Sequence, residues 1–184
     1  MADGMQSLPP LRAVFLDRDG VLNVDHGYVS DPAQLVWIDG ARAAVAALTR
    51  AGLKLLVVTN QSGIGRGYFD EAAMHGFHAA MQADLARIGG RIDAFYFAPH
   101  HEDAATPAYR VADHPDRKPN PGMLLRGLAD SGLSPGEAVI IGDKATDVEA
   151  GHRAGMPGYL FPGGDLHAFV VAVLGDRVAG LGSP

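Results

Sequence analysis

The sequence of 184 residues contains no cysteine. Disulfide bonds, thiolate metal ligands and cysteine nucleophiles are therefore excluded. The sequence also lacks an apolar run near the roughly 18 residues that a transmembrane helix needs, so we expect no membrane partner. The first ten residues contain an aspartate, two prolines and no apolar stretch, which is not the pattern of a secretory signal. We expect a loose N-terminal lead-in over 1–10 and a cytoplasmic protein.

Positive charge is also in short supply. There are 15 lysines and arginines against 21 aspartates and glutamates, and the formal net charge is -6. This acidic balance argues against a nucleic-acid partner, although a local basic cluster could still hold an anion. Hydrophobic residues make up 47% of the chain, as in an ordinary globular protein. The length predicts a single domain over 1–184, and we expect a monomer.

Apolar strand-like runs alternate with helical patterns along the chain. The predicted strands are 13–16, 53–58, 94–97, 138–141 and 158–161. The predicted helices are 41–50, 71–88, 122–130, 147–154 and 165–174. Continuously apolar strands separated by helices indicate an α/β fold, in which a doubly wound, Rossmann-like parallel sheet is flanked by helices. No segment forms a lid domain, so the cap is minimal and the long loop 98–120 is expected to shape the site.

Two predicted helices carry start signals. Asp70 precedes one helical pattern and is predicted to be its N-cap. Asn120 is predicted to cap the next helix, with Pro121 as its first residue.

Two carboxylates, Asp17 and Asp19, follow the first predicted strand at a turn marked by glycine. Residues i and i+2 of a strand share a face, so both carboxylates can reach one small volume if the extended geometry continues. Two such anions repel each other unless a cation lies between them or one of them is protonated. We interpret the pair as a site for a hard divalent metal ion and a phosphate.

Other predicted strands end in residues of related chemistry. Thr59 and Asn60 follow the second strand, and Lys118 lies at the end of the long loop. Asp143 follows the fourth strand, and Asp147 either steadies the metal site or only begins a helix. In open parallel sheets, ligands bind beyond the carboxyl ends of the strands. Carboxylates suit Mg2+, a carboxylate can attack phosphate, and a hydroxyl and an ammonium can hold its oxygens. The pattern predicts phosphoryl transfer.

The motifs Asp-x-Asp-Gly-Val, Val-Val-Thr-Asn, Arg-Lys-Pro and Gly-Asp-x-x-x-Asp occur in this order over nearly the whole chain. The ordered set resembles the signature of the haloacid dehalogenase-like phosphohydrolases. The resemblance implies that Asp17 is the nucleophile and Asp19 the general acid/base, with Thr59 and Lys118 also catalytic. It further implies that Mg2+ binds Asp17, the Asp19 carbonyl and Asp143.

Finer features resemble the D-glycero-D-manno-heptose 1,7-bisphosphate 7-phosphatases, namely the segments 25–29, 59–67, 117–123 and 142–144. The resemblance implies hydrolysis of the sugar's 7-phosphate through an aspartyl-phosphate, in the biosynthesis of nucleotide-activated heptose. The implied substrate-binding residues are Asp25, His26, Gly27, Tyr28, Thr59, Asn60, Gln61, Ser62, Arg66, Arg117, Lys118 and Lys144. A strongly anionic phosphorylated sugar accounts for the cations among them.

One departure from this family concerns a structural zinc. The family binds zinc through three cysteines and a histidine in the loop before Arg-Lys-Pro, but the equivalent positions here hold Ala98, His100, His114 and Asp116. Imidazole and carboxylate are competent zinc ligands, so the last three residues could form a weak site. Because no thiolate is present, we expect a loop held by packing and hydrogen bonds without structural zinc.

Other functions compete with this interpretation. Histidinol-phosphate phosphatases and other small sugar-phosphate phosphatases share the chemistry, but segments 25–28 and 62–67 favour heptose. A receiver-like phospho-aspartate signalling domain also places carboxylates, a threonine and a lysine around Mg2+ in a parallel α/β fold. Receivers carry the phosphorylated aspartate after the third strand, whereas nothing acidic directly follows Phe97. A magnesium-dependent phosphatase is the favoured hypothesis.

Overall fold

The computed structural model describes residues 9–181, so most of the predicted lead-in, residues 1–8, lies outside the described residues. One sheet is formed by β1 (Ala13–Leu16), β2 (Lys54–Asn60), β3 (Ala94–Ala98), β4 (Ala138–Gly142) and β5 (Gly158–Leu160). The strand order is β3-β2-β1-β4-β5, and every neighbouring pair is parallel. The predicted α/β fold class is confirmed.

The helices of the described range are α1 (Ala41–Arg50), α2 (Ser62–Gly65), α3 (Glu71–Ala86), α4 (Gly122–Ser131), α5 (Ala145–Arg153) and α6 (Leu166–Leu174). None of the helices within residues 9–181 combines the length and the apolar character that crossing a membrane requires. The loop between β3 and α4 contains only a short 3-10 turn, Pro107–Tyr109. The organisation of 1–184 as a single domain stays a prediction.

The core lies on both faces of the sheet because successive side chains of a strand point in opposite directions. Val14 and Leu16 of β1 belong to one buried cluster, which also contains residues of α1, α3 and α6. Ala13 and Phe15 belong to a second cluster with residues of α4 and α5. Because helices cover both faces, the central strands are apolar throughout, and polar groups are left to the strand ends.

The two predicted helix caps had different outcomes. Asp70 caps α3 as predicted, because its carboxylate accepts a hydrogen bond from the Ala73 N–H at 2.8 Å. The prediction that Asn120 caps α4 is wrong, since the helix begins at Gly122. The Asn120 side-chain amide instead donates to the His114 carbonyl oxygen at 3.1 Å, so tertiary contacts of the long loop replace the cap.

Near the strand ends, one predicted helix boundary was wrong and one short helix was missed. Helix α5 begins at Ala145, and Asp147 lies in its first turn, where its carboxylate accepts a hydrogen bond from the Lys144 N–H at 3.0 Å. Helix α2 was not predicted, because a helix of four residues is too short to show a helical period.

Gly127 allows α4 to pack closely on the sheet. A Cβ at this position would lie 2.6 Å from Phe15 Cε1 and 3.3 Å from Tyr96 Cε2. We predict that Gly127→Ala lowers the free energy of unfolding by about 1–2 kcal/mol, because overpacking outweighs the better helix propensity of alanine. Urea unfolding measures the change.

The matched control is Gly76→Ala in α3, where a Cβ would meet nothing within 4 Å. That substitution should raise the free energy of unfolding by roughly 0.5–1 kcal/mol. Equal stability of the two variants would show that the α4 contact does not limit packing.

Candidate active site

A cavity of about 340 Å³ opens where β1, β2 and β4 end. The predicted site residues that line it are Asp17, Asp19, Asp25, Gly27, Tyr28, Thr59, Asn60, Gln61, Ser62, Arg117, Lys118 and Lys144. Gly63, Thr146 and Asp147 also line it. Asp143 lies beside it and lines a second pocket together with Gly20. Residues far apart in sequence are thus brought together, as expected at the carboxyl edge of a parallel sheet.

Lys118 lies between two carboxylates at the bottom of the cavity. Its Nζ is 3.0 Å from Asp17 Oδ1 and 2.6 Å from Asp147 Oδ1. It also donates a hydrogen bond to the Val58 carbonyl oxygen at 2.8 Å. Burial alone would lower the pKa of Lys118, but Asp17 and Asp147 outweigh burial and raise that pKa above its usual value. Lys118 is therefore a firmly charged, buried cation.

Asn60 holds the backbone of Lys118 in place. The Asn60 side-chain Nδ2 donates to the Lys118 carbonyl oxygen at 3.0 Å, and the Lys118 N–H donates to Asn60 Oδ1 at 3.0 Å. This reciprocal pair joins the end of β2 to the end of the long loop. The predicted substrate-binding amide thus has a structural role as well as a place in the cavity lining.

Asp17 is held by two donors on one oxygen. Its Oδ1 accepts a hydrogen bond from the Arg18 backbone N–H at 2.7 Å and contacts Lys118 Nζ. The pKa of Asp17 is raised to about 7, chiefly by burial. The charge of Lys118 acts to lower this pKa, and repulsion from Asp147 and Asp19 acts to raise it. An additional cation would stabilise the ionised form, because positive charge offsets both the desolvation and the repulsion.

Three carboxylates form a candidate metal site. Oxygens of Asp17, Asp143 and Asp147 lie within 4.8 Å of one another, and no other such group occurs among residues 9–181. Asp143 Oδ1 is buried without a hydrogen-bond partner among these residues, and burial raises the pKa of Asp143 despite nearby Lys144. A buried, unpaired acceptor in an all-oxygen set fits a hard cation such as Mg2+. The structure brings Asp147 close to the two predicted side-chain ligands, and the metal-binding roles of these residues and of the Asp19 carbonyl stay predictions.

Two glycines make room for these carboxylates. Gly20 has a φ of +86°, and a Cβ there would clash with the Asp143 carboxylate. A Cβ on Gly142 would likewise clash with the Asp147 side chain. The glycines of the Asp-x-Asp-Gly and Gly-Asp motifs therefore permit the close approach of the strand ends on which the site depends.

The Asp19 carboxylate is surrounded by hydrogen-bond donors. Arg18 Nη2 lies 2.9 Å from each of its two oxygens. Asn23 Nδ2 donates to Oδ1 at 2.9 Å, and Gln61 Nε2 donates to Oδ2 at 2.9 Å. Gln61 Nε2 also donates to Thr59 Oγ1 at 2.8 Å. The amide of Gln61, predicted to bind substrate, thereby links the Asp-x-Asp turn to the end of β2.

Sequence reasoning missed four residues of this site: Arg18, Asn23, Gly63 and Thr146. Arg18 and Asn23 act through side-chain contacts within a turn, which leave no hydrophobic period to detect. The one signal for Arg18 was its place between the two aspartates. Gly63 lies within the segment 59–67 and Thr146 within the motif Gly-Asp-x-x-x-Asp, but neither was assigned a role.

Charged and aromatic side chains form the rim of the cavity. Lys144 Nζ lies 3.7 Å from Asp25 Oδ2, and both side chains are largely exposed. Tyr28 has a left-handed φ of 54°, and its ring meets that of Tyr68 edge to face with centroids 4.6 Å apart. Burial and the neighbouring charge of another arginine lower the pKa of Arg117. The rim thus offers cations to an anionic ligand.

Two predicted substrate-binding residues, His26 and Arg66, do not line the cavity. Arg66 Nη2 lies 3.1 Å from both ring nitrogens of His101 and 3.4 Å from Asp103 Oδ2. These partners hold the guanidinium within the long loop. The assignment of His26 and Arg66 to substrate binding stays a prediction.

The residues considered for zinc are only partly brought together. The rings of His100 and His114 stack with centroids 3.4 Å apart and an interplanar angle of 5°. The Asp116 N–H donates to His114 Nδ1 at 3.1 Å, and the Asp116 carboxylate pairs with Arg126. These three do not form a cluster of converging ligand atoms in the described range. The expectation that the loop is held without zinc stays a prediction.

Comparisons with known proteins agree on one class of relatives. A family model described as HAD-hydrolase-like matches residues 116–178. The D-glycero-beta-D-manno-heptose-1,7-bisphosphate 7-phosphatase of Rhodopseudomonas palustris is 43% identical over 169 residues, 91% of this chain and 93% of the relative. The corresponding alpha-heptose enzyme of Burkholderia mallei is 42% identical over 79% of this chain and 76% of the relative.

A solved structure gives the same result. The D,D-heptose 1,7-bisphosphate phosphatase from B. bronchiseptica, complexed with magnesium and phosphate, has a TM-score of 0.75. It is 31% identical, and the match covers 88% of this chain and 87% of that chain. At this identity and coverage, the two proteins are similar in sequence as well as in fold.

The contact between Gly20 and Asp143 provides a test of the metal site. We predict that Gly20→Ala weakens Mg2+ binding by about 10–100-fold, the range observed when groups that orient metal ligands are disturbed. The physical reason is that the added Cβ displaces the Asp143 carboxylate. Isothermal titration with Mg2+ measures the affinity.

Gly52→Ala is the control, because Gly52 also has a positive φ, +79°, but a Cβ there would meet nothing within 4 Å. Both variants carry the backbone strain, and only Gly20→Ala disturbs Asp143. Unchanged Mg2+ affinity in Gly20→Ala would contradict the role of Asp143 as a ligand.

Proposed function

Since the chain belongs to the heptose-1,7-bisphosphate 7-phosphatase family of HAD-like hydrolases, we propose that it hydrolyses the 7-phosphate of D-glycero-D-manno-heptose 1,7-bisphosphate through an aspartyl-phosphate. The observation that carries the proposal is the buried Asp17 carboxylate at the bottom of the cavity, oriented by Lys118 at 3.0 Å. The product would be a heptose 1-phosphate for the synthesis of nucleotide-activated heptose.

In the first step of the proposed reaction, an Asp17 oxygen attacks the phosphorus of the 7-phosphate. An O–P bond forms to Asp17, and the bond between phosphorus and the sugar oxygen breaks. Asp19, whose carboxylate also lines the cavity, donates a proton to the departing sugar oxygen. Asp19 then takes a proton from a water molecule, which attacks the phosphorus and releases inorganic phosphate and the free Asp17 carboxylate.

Several groups support this chemistry. Lys118 contacts Asp17 Oδ1, and we infer that the Lys118 ammonium and the Thr59 hydroxyl hold phosphate oxygens as charge develops. Bound Mg2+, held by Asp17 and Asp143 and supported by Asp147, would reduce the repulsion between the nucleophile and the phosphate. The rim cations Arg117 and Lys144 would bind the rest of an anionic substrate.

Two alternatives receive less support. Histidinol-phosphate and other small sugar-phosphate phosphatases would use the same catalytic groups, but the relatives described above are named for heptose bisphosphate. In a receiver-like domain the phosphorylated aspartate would follow β3. Here β3 ends at Ala98 and is followed by Pro99 and His100, so no aspartate directly follows β3 to accept the phosphate.

We infer in addition that the enzyme acts as a monomer in the cytoplasm, without a nucleic-acid or membrane partner. The net charge of -6 supports the first exclusion. We also infer that the long loop carries no structural zinc, because cysteine is absent from the sequence and a zinc site without thiolates would be weaker.

The substrate assignment is tested by phosphate release in the presence of Mg2+. We predict that kcat/KM for heptose 1,7-bisphosphate exceeds that for histidinol phosphate by about tenfold or more, equivalent to about 1.4 kcal/mol of transition-state binding. The reason is that the rim cations can pair with the second phosphate, which histidinol phosphate lacks. A tenfold preference for histidinol phosphate would overturn the assignment.

The nucleophile is tested by Asp17→Asn. We predict a loss of at least about 10³-fold in kcat, because an amide cannot form the acyl phosphate intermediate. The fold should persist, since Lys118 keeps its contact with Asp147. Asp70→Asn is the control, because Asp70 caps α3 outside the cavity lining and asparagine caps equally well. Full activity of folded Asp17→Asn protein would refute the nucleophile assignment.

A further inference from the structure

Arg18, the residue between the two proposed catalytic aspartates, is completely buried, with 0% of its surface exposed. Its side chain pairs with Asp19, with Nε 3.1 Å from Asp19 Oδ1 and Nη2 2.9 Å from each carboxylate oxygen. Its backbone N–H donates to Asp17 Oδ1 at 2.7 Å. One residue therefore contacts both aspartates, the first through its backbone and the second through its side chain.

The other side of the guanidinium is anchored to the fold. Nη2 donates to the Val29 carbonyl oxygen at 2.7 Å, and Nη1 lies 3.3 Å from His78 Nε2. The group also lies over the ring of Phe77, with Cζ 4.8 Å from the centroid. These anchors lie on α3 and on the segment after the Asp-x-Asp turn. These contacts oppose rotation of the guanidinium and so favour one direction of its fork toward Asp19.

The energetic cost of this arrangement indicates a purpose beyond packing. Removing a guanidinium from water costs several kcal/mol, and an apolar side chain of similar volume often stabilises a protein as well or better. A rigid, planar fork, in contrast, specifies the orientation of a carboxylate in a way that apolar contacts cannot. The buried guanidinium of Arg18 is therefore suited to orient the Asp19 carboxylate.

We propose that Arg18 is a positioning residue that aims the Asp19 carboxylate at the oxygen of the departing sugar. This inference rests on the proposed role of Asp19 as the general acid. Arg18 does not line the cavity, so it acts through Asp19 and not on the substrate. Substitution of its side chain leaves the backbone N–H that holds Asp17 in place, which separates the two functions of the residue.

The test is the dependence of Arg18→Met kinetics on the leaving group. An alkoxide leaving group such as the sugar oxygen needs a well-placed general acid, whereas p-nitrophenolate leaves with little protonation. We expect Arg18→Met to lower kcat/KM for heptose bisphosphate by about 10–100-fold, as a misplaced catalytic group does. For p-nitrophenyl phosphate we expect a loss of about threefold or less. The ratio of the two kcat/KM values is independent of the fraction of folded enzyme.

Two further variants complete the experiment. Arg18→Lys keeps the charge but loses the planar fork, so its ratio of kcat/KM values should lie between those of Arg18→Met and the wild type. If Arg18→Met does not fold, Arg18→Lys provides the test in its place. Arg12→Met is the control, since Arg12 is an exposed arginine paired with Glu137, and its ratio should equal that of the wild type.

The outcomes distinguish this inference from the proposed function. Equal losses on both substrates in Arg18→Met and Arg18→Lys would assign Arg18 a structural role only and overturn the inference. If Asp19→Asn also affects both substrates equally, the general-acid role of Asp19 fails. If Asp19→Asn is selective for the sugar substrate and the Arg18 variants are not, only the positioning role fails.

Discussion

The placement of Lys118 between Asp17 and Asp147 is the interaction on which the rest of the site depends. The ammonium lies within 3.0 Å of both carboxylates, and all three side chains are buried. Removing Lys118 would leave two buried carboxylates without their cation, which costs several kcal/mol, whereas removing Asp17 leaves Lys118 paired with Asp147. Asp17 follows the end of β1, Lys118 lies at the end of the long loop, and Asp147 lies in the first turn of α5. The ion network therefore joins these three segments.

The two aspartates of the Asp-x-Asp turn lie in different environments. Asp17 faces cations and other carboxylates, and burial raises its pKa to about 7. Asp19 faces Arg18, Asn23 and Gln61, which donate only N–H groups to it. Two residues of the same type can therefore serve different purposes in one reaction, because their surroundings and not their chemistry distinguish them.

Much of the fold could be predicted from hydrophobic periodicity. Strand β1 and helix α1 have the predicted bounds, since apolar patterns at these elements agree with their burial. The errors lie where tertiary contacts replace local ones. Asn120 has the composition of a cap, but its amide bonds to the loop. The carboxylate of Asp147 serves both the first turn of α5 and Lys118, a pairing that no local pattern could reveal.

The sequence by itself determined which chemical groups the site contains and their order along the chain. Parallel α/β topology then places the carboxyl end of every strand at the same edge of the sheet. Only the tertiary structure decided which groups touch. In the folded chain, Asp147 pairs with Lys118 and Asp19 pairs with Arg18. Arg66 contacts His101 and Asp103. The physical reason is distance: spacing limits what a chain can bring together, whereas hydrogen bonds and ion pairs form only between atoms about 3 Å apart, and long-range packing sets those positions.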